Sequence, residues 1–214
     1  MGEKLRLGRV TALHQSQRPF LRPPDKDAAQ DLPREGRSSE KEHDRAALIG
    51  DPRNDENTIL QQLHVAFLRA HNALVDRGQA FDEARKLLRQ HYQHLVLHDF
   101  LKRVADPQVV ERILETGNQV YDALTEPFFL PLEFTVAAFR FGHSMVRATY
   151  DFNINFKENE GQGARAAMLG QLFTFTALSG QLGDFDTLPE NWIIEWENFV
   201  DVGDRCNHAR SEEH

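Results

Sequence analysis

GDPRNDENTILQQLHVAFLRAHNALVDRG, residues 50–78, is the stretch whose reading decides the architecture. Leu60, Leu63, Phe67, Ala70 and Leu74 recur every three or four positions, the spacing that lines one face of an α-helix. A helix is therefore expected over Asn57–Val75. Asp51-Pro52 and Asn54-Asp55 supply turn and capping chemistry at its start. Gly78 ends it, because a helix terminates readily where glycine can adopt the left-handed conformation.

The same period extends outward. A second helix is expected from Asp82 to Val104, with Ala84, Leu87, Leu88, Tyr92, Leu95 and Leu101 on one broad face. A third spans Val109–Gly117. A fourth follows Pro131 and carries Phe134, Ala138, Phe141 and Met145 to about Tyr150. Arg165–Thr176 is a fifth. Few segments show strand alternation and no fixed-period repeat occurs, so the expected class is mainly α. In the tail, Pro189 and Glu190 fit a helix start, and Trp192 and Trp196 share a face that reads as packing.

Upstream of the first helix the composition changes. Residues 22–46, RPPDKDAAQDLPREGRSSEKEHDRA, are almost without apolar side chains and read as loop or disorder, since little burial offsets the entropy of ordering them. The expected organisation is a poorly ordered or irregular segment over 1–46, a helical domain over 47–202, and a flexible tail over 203–214.

The 214 residues are 40% hydrophobic and 27% charged, an ordinary globular composition. A net charge of -8 argues against nucleic acid as the main partner, because phosphate binding requires a basic face. No apolar run is long enough to span a bilayer. The opening MGEKLRLGRV lacks the apolar stretch of a secretory signal, and Cys206 is the sole cysteine, so no intrachain disulfide can form. Cytoplasmic residence is the default expectation.

Three constellations carry chemistry. The first is Arg53 and Glu56 together at the start of the first helix, where an ordinary capped terminus is the competing reading. The second is AFRFGHSM, residues 138–145. His143 lies three residues after Arg140, so both project from one side of a helix, and Gly142 removes a side chain beside the imidazole. A glycine costs about 1 kcal/mol in a helix interior, which suggests the close approach of something flat. A haem with its iron on His143 and a propionate on Arg140 meets that description, against the alternative of a satisfied core histidine. The third is His91, His94 and His98 on one helix face. Zinc is conceivable there, but one helix seldom converges three ligands, and a polar or interhelical face is the better reading.

GDPRNDENTILQQLHVAFLRAHN and EFTVAAFRFGHSMVRATYDFNINF resemble two hallmark segments of the animal-type haem peroxidase superfamily, myeloperoxidase-like, in its bacterial branch. EARKLLRQHYQHLVLHDFL is similar to the connecting helix, and LFTFTALSGQLGDFDTLPENWIIEWENF to the stretch after the haem-binding helix. The likeness covers roughly residues 46–202 in family order. It implies the helical core of that fold, incomplete at both ends, and a peroxidase reducing hydrogen peroxide while oxidising a small donor.

The resemblance also implies roles at matching positions. Arg53 corresponds to the distal arginine that polarises bound peroxide, and His143 to the proximal ligand of the iron of haem b. Arg140 corresponds to an arginine beside a propionate, and Glu56 to the position that forms an ester with the haem in some members. Asn57 replaces the methionine that makes a further haem link in myeloperoxidase. Two expected parts are missing. No Asp-His pair occurs anywhere in the sequence, so the distal base is not identified, and the calcium loop is not recognisable. The alternative reading is a non-catalytic haem-binding or vestigial helical protein.

Overall fold

In a computed structural model of the chain, residues 3–13, 31–117, 119, 129–158, 165–178 and 182–200 are described. The expected mainly helical class holds. The described helices are α1 (Thr58–Asp76), α2 (Phe81–Leu95), α3 (Leu101–Val104), α4 (Pro107–Thr116) and α5 (Leu132–Val136), with a π turn linking α2 to α3 and short 3-10 turns before α1 and after α5. Among the described residues the sheet content is one antiparallel pair, β1 (Thr149–Tyr150) with β2 (Ala167–Met168). The chain divides into two compact units, residues 5–70 with 147–214, and residues 1–4 with 71–146.

The first of these units carries an aromatic core. Phe152, Ala167, Leu172, Leu188, Trp192 and Ile194 are buried together. Trp192 lies 4.2 Å from Phe156 and 5.1 Å from Phe175 between ring centroids, and Trp196 is partly buried against the same cluster. The packing role expected of the tryptophans is therefore what they perform. They do so from two separate 3-10 turns, Glu190–Trp192 and Trp196–Asn198, rather than from one helix. Each fully buried leucine- or phenylalanine-sized side chain contributes about 1.5–3 kcal/mol.

The segment before α1 departs from its composition. Asp31, Leu32 and Pro33 are buried and the Arg34 side chain is only 2% exposed. Residues 5–13 also pair with later chain: Gly8 N donates to Asp31 O at 2.9 Å, and Thr11 N to Leu188 O at 2.8 Å. Gly8 has to be glycine, since a Cβ there would stand 2.1 Å from the Leu32 carbonyl oxygen. Part of the polar stretch read as loop or disorder is thus a buried ionic layer, which average hydrophobicity does not register.

Helix α1 forms where expected, with the Asn57 side chain accepting from Leu60 N at 3.0 Å and Gly78 at φ +96° ending it. The face it buries differs from the apolar stripe. Thr58, Gln61, Gln62 and Val65 are buried, whereas Leu63 is 40% exposed. Polar side chains win that face because each meets a partner. Thr58 Oγ1 donates to Leu172 O at 2.8 Å, and Gln61 reaches two carboxylates.

In the second unit, the helix expected over 82–104 is present as α2, a π turn over Val96–Phe100 and α3 in succession, and α4 starts under an Asp106 cap that accepts from Gln108 N and Val109 N. His71 is buried, with Nε2 at 3.2 Å from Phe81 O. His91, His94 and His98 are exposed, and the rings of His94 and His98 lie 4.4 Å apart. Among the described residues no group of three or more His, Cys, Asp or Glu gathers to hold a metal ion.

Two helix expectations need correction. The helix after Pro131 does not run to Tyr150: α5 ends at Val136, Ala137 leaves helical geometry at φ -121° and ψ -71°, and Ala138–Met145 continues as a 3-10 helix. Thr135 and Val136 are stiff β-branched residues and Gly142 is a poor helix former, so this stretch holds the α form weakly. Likewise Arg165–Thr176 is not an α-helix. It forms β2 and a 3-10 turn over Leu169–Phe173, because Leu169 N is taken by Ala148 O and Ala167 by the Tyr150 register. The tail 203–214, Cys206 and His14 lie outside the described residues.

Candidate functional site

Arg53 and Glu56 belong to the unit built from residues 5–70 and 147–214. They flank Asp55 in a 3-10 turn over Pro52–Asp55, capped by the Asp51 side chain. Proline at the first turn position is preset for such a bend. Both Arg53 and Glu56 are exposed, while Asp55 points inward and is buried. Arg53 turns back on Asp51, with Nη2 donating to Oδ2 at 2.6 Å and Nε to Oδ1 at 3.0 Å. The Arg53 side chain and its backbone N–H together hold the Asp51 carboxyl down to about 2. The Glu56 carbonyl accepts from the Thr176 hydroxyl at 3.1 Å. Behind the turn, Asn54 Nδ2 meets His64 Nδ1 at 3.1 Å, and burial pushes the half-buried His64 imidazole below its ordinary value.

Beneath this turn lies an ionic layer that sequence reading missed. Arg34 donates from Nη1 and Nη2 to the two carboxylate oxygens of Asp55 at 2.7 and 3.0 Å. From Nε and Nη2 it donates to Asp31 at 2.9 and 3.1 Å. Asp31 also accepts from Leu188 N at 2.8 Å, and Gln61 Nε2 bridges the two acids at 3.2 Å each. Burial works against the Arg34 charge, but the hydrogen bonds and charges of Asp55 and Asp31 outweigh it and hold the guanidinium above its ordinary value. Burial pushes the Asp31 carboxyl up, against the pull of Arg34. The one available signal was the arginine in DLPR, polar residues with no other reason to leave water.

Arg140 and His143 belong to the other unit, on the 3-10 helix over Ala138–Met145. With three residues per turn, positions i and i+3 eclipse, so the two side chains stand on one ridge. The expected same-side relation therefore survives the change of helix type. His143 is exposed, and so are the apolar side chains around it, Phe139, Phe141 and Met145. Around Gly142 an added Cβ would meet nothing within 4 Å.

A family model for animal haem peroxidase matches residues 3–188, nearly the whole described chain. The chain belongs to that family. Among curated relatives it is 33% identical over 115 residues to a peroxidase-like protein of Margaritifera margaritifera, covering 48% of this chain and 14% of the relative. It is 31% identical over 109 residues to human thyroid peroxidase, covering 46% and 12%, and 30% identical over 118 residues to the chorion peroxidase of Aedes aegypti, covering 48% and 15%. The chain thus spans about a seventh of the length of these relatives.

These relatives overturn the cytoplasmic default. Thyroid peroxidase, chorion peroxidase and others like them are secreted, extracellular or membrane-associated. One cysteine in a stretch matching a seventh of such a protein says nothing about the compartment of the whole. Among the described residues no helix is long and apolar enough to cross a membrane.

Members of this family generally bind haem. The residues present suit such a group. An imidazole and a guanidinium share one ridge, exposed aromatic and thioether side chains flank them, and the space beside Gly142 is open to a flat ring.

Proposed function

We propose that the chain forms part of a haem-dependent peroxidase that reduces hydrogen peroxide at the expense of a small donor. Family membership supports the reaction class, and the shared ridge of Arg140 and His143 is the observation that carries the site. The cofactor is haem b, whose iron supplies the redox chemistry when bound. His143 would hold the iron through a ring nitrogen, and Arg140 would pair with a propionate in a charge-assisted hydrogen bond. Phe139, Phe141 and Met145 exclude water beside the ring.

Arg53 would meet peroxide with its guanidinium and would stabilise the negative charge that develops when the O–O bond breaks. To do so it leaves Asp51, an exposed partner whose hold is weak in water. Glu56 stands one turn on, able to form an ester with the haem. A separate base is needed to move the peroxide proton, and the sequence holds no Asp-His pair to supply one. That observation favours a second reading, a haem-binding chain with little turnover of its own.

Reconstitution separates the possibilities. Purified protein titrated with haem should develop a Soret band with a histidine-ligated spectrum, and His143→Ala should abolish it. No Soret band in the unaltered protein overturns both haem readings. Turnover of a chromogenic donor with hydrogen peroxide then distinguishes an enzyme from a haem carrier.

A further inference from the structure

We propose that Arg34 is a positioning residue for the Arg53–Glu56 turn, acting through Asp55. Its chemical consequence rests on the peroxidase reading of Arg53 and Glu56, but the mechanical relation does not.

The turn Pro52–Asp55 is four residues long and has few bonds of its own: Asn54 N to Asp51 O at 3.1 Å and Glu56 N to Arg53 O at 3.2 Å. Neither flanking side chain is packed, with Arg53 81% exposed and Glu56 exposed. A turn so short does not hold two exposed side chains in one geometry by itself.

What fixes it is Asp55, whose carboxylate is 2% exposed and accepts from Arg34 twice, from Gln61 and from Ala177 N at 3.0 Å. Arg34 cannot yield, because its other edge is clamped by Asp31, itself tied to Leu188 N, and its Nη1 also donates to Arg45 O at 3.2 Å. The planar guanidinium is the one side chain able to grip two carboxylates at once along fixed directions, which a lysine point charge would not reproduce. Locking Asp55 inward fixes the short turn, so Arg53, two residues before it, and Glu56, one after it, are presented to solvent by a side chain that touches neither of them.

The test uses the full chain without haem, so it can succeed or fail independently of the peroxidase reading. The readouts are the titration of the Asp51 carboxyl and hydrogen exchange of the Asn54 and Glu56 amides, both by NMR. Arg34→Gln should move the Asp51 midpoint from about 2 toward its ordinary 3.8 and speed both amides at least about tenfold. Ile194→Ala, a core truncation in the same unit, should leave both readouts unchanged, which separates positioning from general loss of stability.

An unchanged midpoint and unchanged exchange in folded Arg34→Gln would overturn the proposal. Should that variant fail to fold, exchange in the unaltered protein decides. The amides of Asn54 and Glu56 are expected to open together with those of Ala177 and Leu188, which bond to the two acids that Arg34 joins. Opening of the turn while Ala177 and Leu188 stay protected would show that Arg34 does not hold it. Failure to take up haem, in contrast, overturns the peroxidase reading and leaves this relation standing.

Discussion

Arg34 and Asp55, separated by 21 positions in sequence, form a two-point ion pair at 2.7 and 3.0 Å with both side chains 2% exposed. Burying charge is expensive, and such a pair persists only when its remaining atoms are also bonded. Here they are, through Asp31, Gln61, Ala177 and the Arg45 carbonyl. The pair ties the chain before α1 to the turn that opens α1.

Arg34→Met is expected to destabilise the protein by about 3–5 kcal/mol, because it leaves two buried carboxylates without their shared cation. Chemical denaturation followed by far-ultraviolet circular dichroism measures it. A loss below about 1 kcal/mol, the range of an exposed pair, would show that the layer is wet or rearranges.

His64 links stability to pH. Its folded-state value lies below the ordinary 6.5, so the folded form favours the neutral ring that faces the Asn54 amide. The associated stability is fully present above about 6.5 and is lost as pH falls through the folded value. The denaturation midpoint should therefore decline as pH falls below about 6.5, and His64→Gln should remove part of that decline. An identical pH profile in the variant would exclude His64 as the source.

Asp51 behaves in the usual sense for a paired carboxylate. Held down to about 2 by Arg53, it stays ionised, and its contribution is present above the ordinary 3.8 and lost as pH falls through the folded value. In Arg53→Gln its carboxyl carbon should titrate above about 2 but still below 3.8 by NMR, because the backbone N–H of residue 53 still donates to it. A midpoint still near 2 would show that the Arg53 side chain is not the partner that matters.

His143→Ala should abolish haem uptake, read as loss of the Soret band. Arg53→Gln should leave uptake intact while slowing peroxide reduction. The chain as it stands is expected to turn over peroxide at least about 100-fold more slowly than a full-length relative, since a positioned proton-transfer base is worth roughly 10²–10⁴ and no Asp-His pair is present. Comparable rates in a steady-state assay would reveal a base at another position.

Legibility varied with the physical range of each cause. Helix α1, the α2–α3 run and α4 were readable because their period, the Gly78 stop and the Asp106-Pro107 start act within a few residues. The stretch after Pro131 was misread as one helix because a 3-10 and an α-helix share the i, i+3 spacing, while Ala137 gives no sign of the break. Arg165–Thr176 was misread because its apolar residues fit a helix, yet Ala167 pairs with Tyr150 and Leu169 N donates to Ala148 O, partners distant in sequence.

Helical spacing carried the mainly helical class, and the resemblance of two motifs carried the family and named Arg53, Glu56, Arg140 and His143 as candidates. Only the tertiary structure decided which side of α1 is buried and what lies beneath the Arg53 turn. Gln61 and Asp55 gain from leaving water only when Arg34 and Asp31 are already in place, and a hydrophobic period cannot record a partner that is polar, distant in sequence and complementary in charge.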